Sequence, residues 1–169
     1  MIFVALGANL PSEAGPPART LVAAMEALDA AGLRVAARSR IYESPPWPQP
    51  SDQPWYANAV VRLETRLDPE ALLARLHAVE RAFGRVRSVP NAPRALDLDL
   101  IDHDGAVRDG VAPLLPHPRM ATRAFVLLPL AELAPGWRHP VDGTPIARLI
   151  ARLPADTICR PLAERPASD

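Results

Sequence analysis

Proline sets the limits on what this chain can fold into. Its 21 prolines lack a backbone donor and crowd the preceding helical turn, so they belong at the edges of regular elements. Between them lie short apolar segments with clear periods, which argues for a folded, punctuated chain and against disorder. A length of 169 residues suits one domain, expected over residues 1–160, with 161–169 expected to fray.

Residues 2–6 form an apolar run stopped by Gly7, as in a buried strand. Leu21, Val22, Met25 and Leu28 follow Pro17 at helical spacing and stop before Gly32, predicting a helix over 17–31. Leu33, Val35, Ala37, Ser39 and Ile41 alternate as a half-buried strand. The proline-rich stretch 43–54 reads as a stiff loop, and alternation resumes over 55–64 as a third strand. Asp68-Pro69-Glu70 opens a second helix whose stripe is Leu72, Leu76, Val79 and Phe83, closed by Gly84. Leu96, Leu98 and Leu100 alternate with Asp97 and Asp99 in a fourth strand. Helices are expected near 120–128 and 146–153. The order strand, helix, strand, strand, helix, strand predicts an α+β, ferredoxin-like (βαββαβ) sandwich with an antiparallel sheet and C-terminal helical additions.

Composition removes several functions. All 19 basic side chains are arginine, so no Walker lysine, kinase lysine or pyridoxal Schiff base exists. Phosphate bound by a cationic side chain is bound mainly by guanidinium forks. A net charge of +0 argues against a general nucleic-acid binder, which needs a basic surface. The single Cys159 has no internal partner, as expected of a reducing, cytoplasmic setting. No signal-peptide core or membrane span is expected, the apolar run at residues 1–6 being too short.

The densest chemistry lies in Pro93-Arg94-Ala95-Leu96-Asp97-Leu98-Asp99. On a strand Asp97 and Asp99 share a face, about 7 Å apart from the rise per residue. A bare Asp-x-Asp is most often a pair of solvated acids. Aspartate is depleted from strands, however, and like charges on one face repel unless a cation stands between them. Arg85, Arg87 and Arg94 occupy the loop just ahead. Magnesium commonly binds one or two carboxylates plus substrate phosphates, and arginine forks pair with phosphate oxygens. His117 is fixed between Pro116 and Pro118, with Arg123 and Phe125 following. Tyr56 and Asn58 share a strand face downstream of Ser44-Pro45-Pro46-Trp47, so ring and carboxamide can stack on a flat heterocycle and pair with its edge. Each of these also has a plain reading as core histidine, core tyrosine or surface amide.

Taken in order, Ala5-Leu6-Gly7-Ala8-Asn9-Leu10, Tyr42-Glu43-Ser44-Pro45-Pro46, Asp52-Gln53-Pro54-Trp55-Tyr56-Ala57-Asn58, Gly84-Arg85-Val86-Arg87, the Asp97 string and Leu115-Pro116-His117 resemble the 6-hydroxymethyl-7,8-dihydropterin pyrophosphokinases of folate biosynthesis. The resemblance implies transfer of the β,γ-pyrophosphoryl group of ATP to the pterin's hydroxymethyl oxygen, with release of AMP. Asp97 and Asp99 would ligate two Mg²⁺ ions, with Arg85 and Arg94 in catalytic roles. His117, Arg123, Arg87 and Glu80 would lie at the nucleotide. Tyr56 and Phe125 would sandwich the pterin, Asn58 and Ser44 would hydrogen-bond its edge, and Pro45 and Trp47 would flank it. The partners implied are small molecules only, and a monomer is expected. Asn91-Ala92 stands where many members have Trp-Gly, and the loop from Arg87 to Pro93 is short for the family.

Two rival readings use the same residues. Another metal-dependent nucleotidyl or phosphoryl transferase explains Asp97 and Asp99 but leaves Tyr56 and Asn58 unassigned. A single-stranded RNA-binding module shares the element order, but two acids on its sheet face would repel phosphodiesters.

Overall fold

Alternation along three strands decides the layering. The computed structural model describes residues 1–46, 51–84 and 93–163. Trp47, Arg85 and Arg87 lie outside those residues. The strands are β1 (Ile2–Ala8), β2 (Arg34–Arg38), β3 (Tyr42–Ser44), β4 (Tyr56–Glu64), β5 (Asp97–His103) and β6 (Arg160–Pro161). The helices are α1 (Pro17–Ala30), α2 (Pro69–Ala82), α3 (Ala124–Leu133) and α4 (Ile146–Ala151), with a 3-10 turn at Met120–Thr122. One antiparallel sheet runs β5-β1-β4-β3-β6, and β2 also pairs with β4. Ile2, Val4 and Leu6 of β1 point to one face with Ala59, Val61, Leu98 and Leu100, where Leu21, Leu28, Leu72 and Leu76 of α1 and α2 cover them. Phe3, Ala5, Val60 and Ile101 point to the other face, beneath Val126, Leu127, Leu130 and Leu149 of α3 and α4.

Local chemistry explains the element ends. Pro17 occupies the first turn of α1, where its missing N–H costs nothing. The Asp68 carboxylate accepts from Ala71 N at 2.8 Å and caps α2. Gly84, at φ 79°, turns the chain out of that helix in a conformation most residues avoid.

Four expectations are corrected. The strand expected over 33–41 breaks after Arg38, because Ser39 Oγ accepts the Val60 N–H at 3.0 Å and takes the place of a ladder bond. The chain then rejoins β4 as β3, so the loop expected from 43 starts after Ser44. The helix expected to stop before Pro129 continues to Leu133. An internal proline costs about 3 kcal/mol, and burial of Val126, Leu127 and Leu130 around it offsets that. The tail expected to fray from 161 begins in a strand: β6 pairs with β3, and Leu162 N donates to Ile41 O at 2.7 Å. Arg160 anchors it by donating from Nε to Glu43 at 2.6 Å and lying over the Trp55 ring.

Candidate active site

The register of four strands builds a row across the sheet. Asp97 pairs with Gly7, Gly7 with Asn58, and Asn58 with Tyr42. One step further along β5, Asp99 stands opposite Ala5, which in turn faces Val60. Asp97 and Asp99 share the face of Ala5, while Leu96, Leu98 and Leu100 are buried against the first helical layer. The carboxylates keep access to solvent, at 21% and 33% of side-chain surface.

Each acid already faces cationic or donor groups. Arg94 Nη1 donates to Asp97 Oδ2 at 2.7 Å. The Arg94 backbone is pinned to the end of β1: its N–H donates to Asn9 Oδ1 at 2.9 Å, and its carbonyl accepts from Asn9 N at 3.1 Å and Leu10 N at 3.3 Å. Asn9 is buried and also donates to Gln53 Oε1 and the Pro54 carbonyl, tying β1 to the approach of β4. Arg123 Nη1 lies 3.7 Å and His117 Nε2 3.8 Å from Asp99 Oδ2. Burial, then the charges of Arg123 and Arg119, push the His117 pKa down to about 4, so the ring is neutral at pH 7. Its Nδ1 accepts from Arg119 N at 3.2 Å. That assignment leaves the proton on Nε2, facing the open site as a donor. Burial also lowers the pKa of Arg123, yet a guanidinium remains charged at neutral pH.

Across Gly7, Asn58 Nδ2 donates to Ser44 Oγ at 2.9 Å, with both side chains buried. Ser44 faces Tyr56 in register, and Pro45 follows half-buried. Phe125 is the second residue of α3, and the Arg123 guanidinium sits 5.4 Å from its ring centre. A cavity of about 230 Å³ is lined by Asp99 and His117 together with Leu73, Leu100, Pro113, Leu114 and Pro118.

The structure therefore brings Asp97, Asp99, Arg94, His117 and Arg123 together at one end of β5, with Ser44, Asn58 and Tyr56 on the neighbouring strands. Glu80 reaches β5 from α2 at Leu98, between Asp97 and Asp99. It is buried on α2 and accepts from Leu98 N at 2.8 Å, satisfying an N–H on the free edge of β5. Sequence reasoning assigned no role to Asn9 or to the Leu73–Leu114 cavity. Asn9 carried a signal, a carboxamide straight after an apolar strand; the cavity walls come from distant segments and carried none. Among the described residues no cluster of three or more His, Cys, Asp or Glu could hold a metal.

By class, the molecule is a mixed α/β protein with one antiparallel sheet between helical layers. It shares its fold with the "HPPK-DHPS in complex with substrates" crystal structure, at a TM-score of 0.61 and 14% identity over 89% of this chain and 42% of that one. The chain belongs to the 7,8-dihydro-6-hydroxymethylpterin-pyrophosphokinase family, whose model matches residues 3–135. It is 40% identical to the 2-amino-4-hydroxy-6-hydroxymethyldihydropteridine pyrophosphokinase of Methylorubrum extorquens, over 89% of this chain and 92% of that protein. Identity to the Pseudomonas aeruginosa protein of the same name is 41%, over 94% and 95%. It is also 34% identical to the folic acid synthesis protein fol1 of Pneumocystis carinii, of which it spans only 20%.

Proposed function

We propose that this chain transfers the β,γ-pyrophosphoryl group of ATP to the hydroxymethyl oxygen of 6-hydroxymethyl-7,8-dihydropterin and releases AMP. The observation that carries the reading is the row Asp97, Gly7, Asn58. It sets a carboxylate suited to a phosphate-bound cation and a carboxamide suited to a heterocycle edge on either side of a residue with no side chain. The names of the relatives, over nearly their whole length in two of them, support the same reaction.

Asp97 and Asp99 fit Mg²⁺: two carboxylates on one face, partly open, with no third protein ligand among the described residues, match an ion that completes its shell with substrate phosphates and water. When bound, two such ions would neutralise phosphate charge and lower the pKa of the attacking hydroxyl. Arg94, held by Asn9, and Arg123 supply guanidinium forks to the triphosphate, and Arg85 and Arg87 are assigned there from the family pattern. Neutral His117 donates from Nε2 to a phosphate oxygen. The Leu73–Leu114 cavity, opening beside His117, receives the adenine. Asn58, oriented by Ser44, reads the pterin edge between Tyr56 and Phe125, with Pro45 and Trp47 at its flank. Catalysis then rests on alignment and charge compensation, the main needs of phosphoryl-type transfer. Glu80 acts through β5 and keeps Asp97 and Asp99 in register.

The ferredoxin-like frame belongs to the same proposal, supported by β5, β1, β4 and β2 lying side by side in antiparallel pairs. So do a single domain over 1–160, a monomer without nucleic-acid partners, and a cytoplasmic setting. Burial pushes the free Cys159 thiol up to about 11, so little of it is thiolate at neutral pH, and no helix among the described residues is long and apolar enough to cross a membrane. Product analysis with ATP, Mg²⁺ and the hydroxymethyl pterin tests the reaction. AMP formed only with pterin present is the expected result; ADP, free pyrophosphate or indifference to pterin contradicts it.

A further inference from the structure

Outside the site, several donors converge on one carboxylate. Tyr42 Oη donates to Glu132 Oε1 at 2.5 Å and Arg40 Nε to the same oxygen at 2.8 Å, while Arg40 N donates to Oε2 at 3.0 Å. Arg40 Nη2 lies 2.7 Å from Oε1 and completes the ion pair. The Tyr42 ring is buried. Its hydroxyl, pushed up to about 12 by burial and then by Glu132, stays protonated as a donor. Glu132 lies in the last turn of α3, while Arg40 and Tyr42 belong to the β2–β3 junction and β3.

Spacing links this cluster to the acceptor pocket. Glu132 follows Phe125 by seven residues, two helical turns, so both lie on one face of α3, about 10 Å apart along its axis. Tyr42 and Ser44 are two residues apart on β3 and share a face, about 7 Å apart. Tyr42 stands opposite Asn58, and Ser44 opposite Tyr56. At its C-terminal end α3 is fastened by Glu132 to Arg40 and Tyr42, and at its start Arg123, two residues before Phe125, lies 3.7 Å from Asp99 of β5, so the helix crosses the sheet between them. Fastening the C-terminal end of α3 limits how far Phe125, on the same helix, can shift relative to the strands.

We propose that Glu132, Tyr42 and Arg40 form a positioning clamp that sets the gap between Phe125 and the Tyr56–Asn58–Ser44 row, and so governs how tightly the flat acceptor is held. This rests on the pyrophosphokinase reading. None of the three residues touches substrate in that reading; they act through α3 and β3. Both sides of the clamp are polar and paired, so its geometry is more directional than the apolar packing of Val126 and Leu127 beside it.

Steady-state kinetics on Glu132→Ala, Glu132→Gln and Tyr42→Phe, with each substrate varied in turn, test it. Glu132→Ala is expected to raise KM for the pterin about tenfold while KM for ATP and kcat stay within about threefold. Tyr42→Phe, which removes one oxygen, shifts pterin KM in the same direction by a smaller factor. Glu132→Gln, which still accepts from Tyr42, recovers part of the loss. If Glu132→Ala does not fold, Tyr42→Phe and Glu132→Gln decide the matter alone. A lowered melting temperature with pterin KM unmoved, or equal rises in both KM values, overturns the clamp. A wild-type protein that forms no AMP overturns the functional reading beneath it, whereas an active wild type with unmoved variants overturns the clamp only.

Discussion

The second face of the sheet has two ends made by the same strands, and they differ in what covers them. At the closed end Phe3, Val60 and Ile101 pack under Leu130, Trp137 and Leu149. At the open end, a few residues along the same alternation, stand Gly7, Asn58, Asp97 and Asp99. Inward-pointing positions run from Phe3 through Ala5 to Gly7 on β1 and from Val60 to Asn58 on β4, so side chains shrink or turn polar as the helical cover stops. Even the closed end holds one acid, Asp102, which a register shift beside Phe3 and Val4 brings opposite Phe3. There the carboxylate is fully answered by Trp137 Nε1 at 2.7 Å and Gly105 N at 2.9 Å. Asp97 and Asp99 face Arg94, Arg123 and His117 and remain partly accessible. On this face the acid answered by neutral donors inside the core is buried, whereas the two that face cations stay partly exposed.

That contrast can be broken from either side. Asp97→Ala or Asp99→Ala should cut kcat/KM by on the order of 10³-fold, as for loss of a preorganised charge-stabilising group, while the melting temperature moves little; a large drop in melting temperature would make them structural. Leu130→Ala, at the closed end, should cost about 2–5 kcal/mol of stability and leave both KM values unchanged in the folded fraction. Gly7→Ala tests the floor between the two halves of the site. A Cβ there meets Asn58 Oδ1 at 3.6 Å and Tyr56 Cδ1 at 3.9 Å, ordinary contact, so the fold should hold while turnover falls about 10²-fold through misplacement of the reactants. Unchanged turnover would remove Gly7 from the site. Tyr56→Ala should raise pterin KM about tenfold, the loss of one stacked ring and its buried area.

The smallest effect is in pH dependence. The folded His117 pKa is depressed from 6.5 to about 4, so between those values the unfolded chain binds the proton and the folded chain does not. Stability contributed by this residue is therefore present above pH 6.5 and lost as pH falls towards 4. Melting curves over that window should show a shallower acid slope in His117→Gln than in the parent protein; identical slopes would contradict the burial of a neutral ring.

Much of this was legible in the sequence because it followed from alternation and caps. Asp68-Pro69 at the start of α2, Gly84 after its end and the paired faces of β5 obey rules that act within a few residues. What escaped depends on partners distant in the chain. Ser39 breaks β2 by bonding to Val60 of β4, α3 runs through Pro129 because the core packs around it, and β6 is recruited by the free edge of β3. The site divides in the same way. Residue type and spacing marked Asp97, Asp99, Tyr56 and Asn58, whereas the hub at Asn9 and the inward turn of Glu80 required the fold.

Calorimetric titration with the hydroxymethyl pterin and a non-hydrolysable ATP analogue, in the presence and absence of Mg²⁺, tests the central claim most directly. One site for each ligand is expected, with nucleotide affinity at least about tenfold weaker without the metal, since Asp97 and Asp99 then oppose the triphosphate instead of sharing a cation with it. Equal nucleotide affinity in both conditions, or no heat from the pterin, would contradict it.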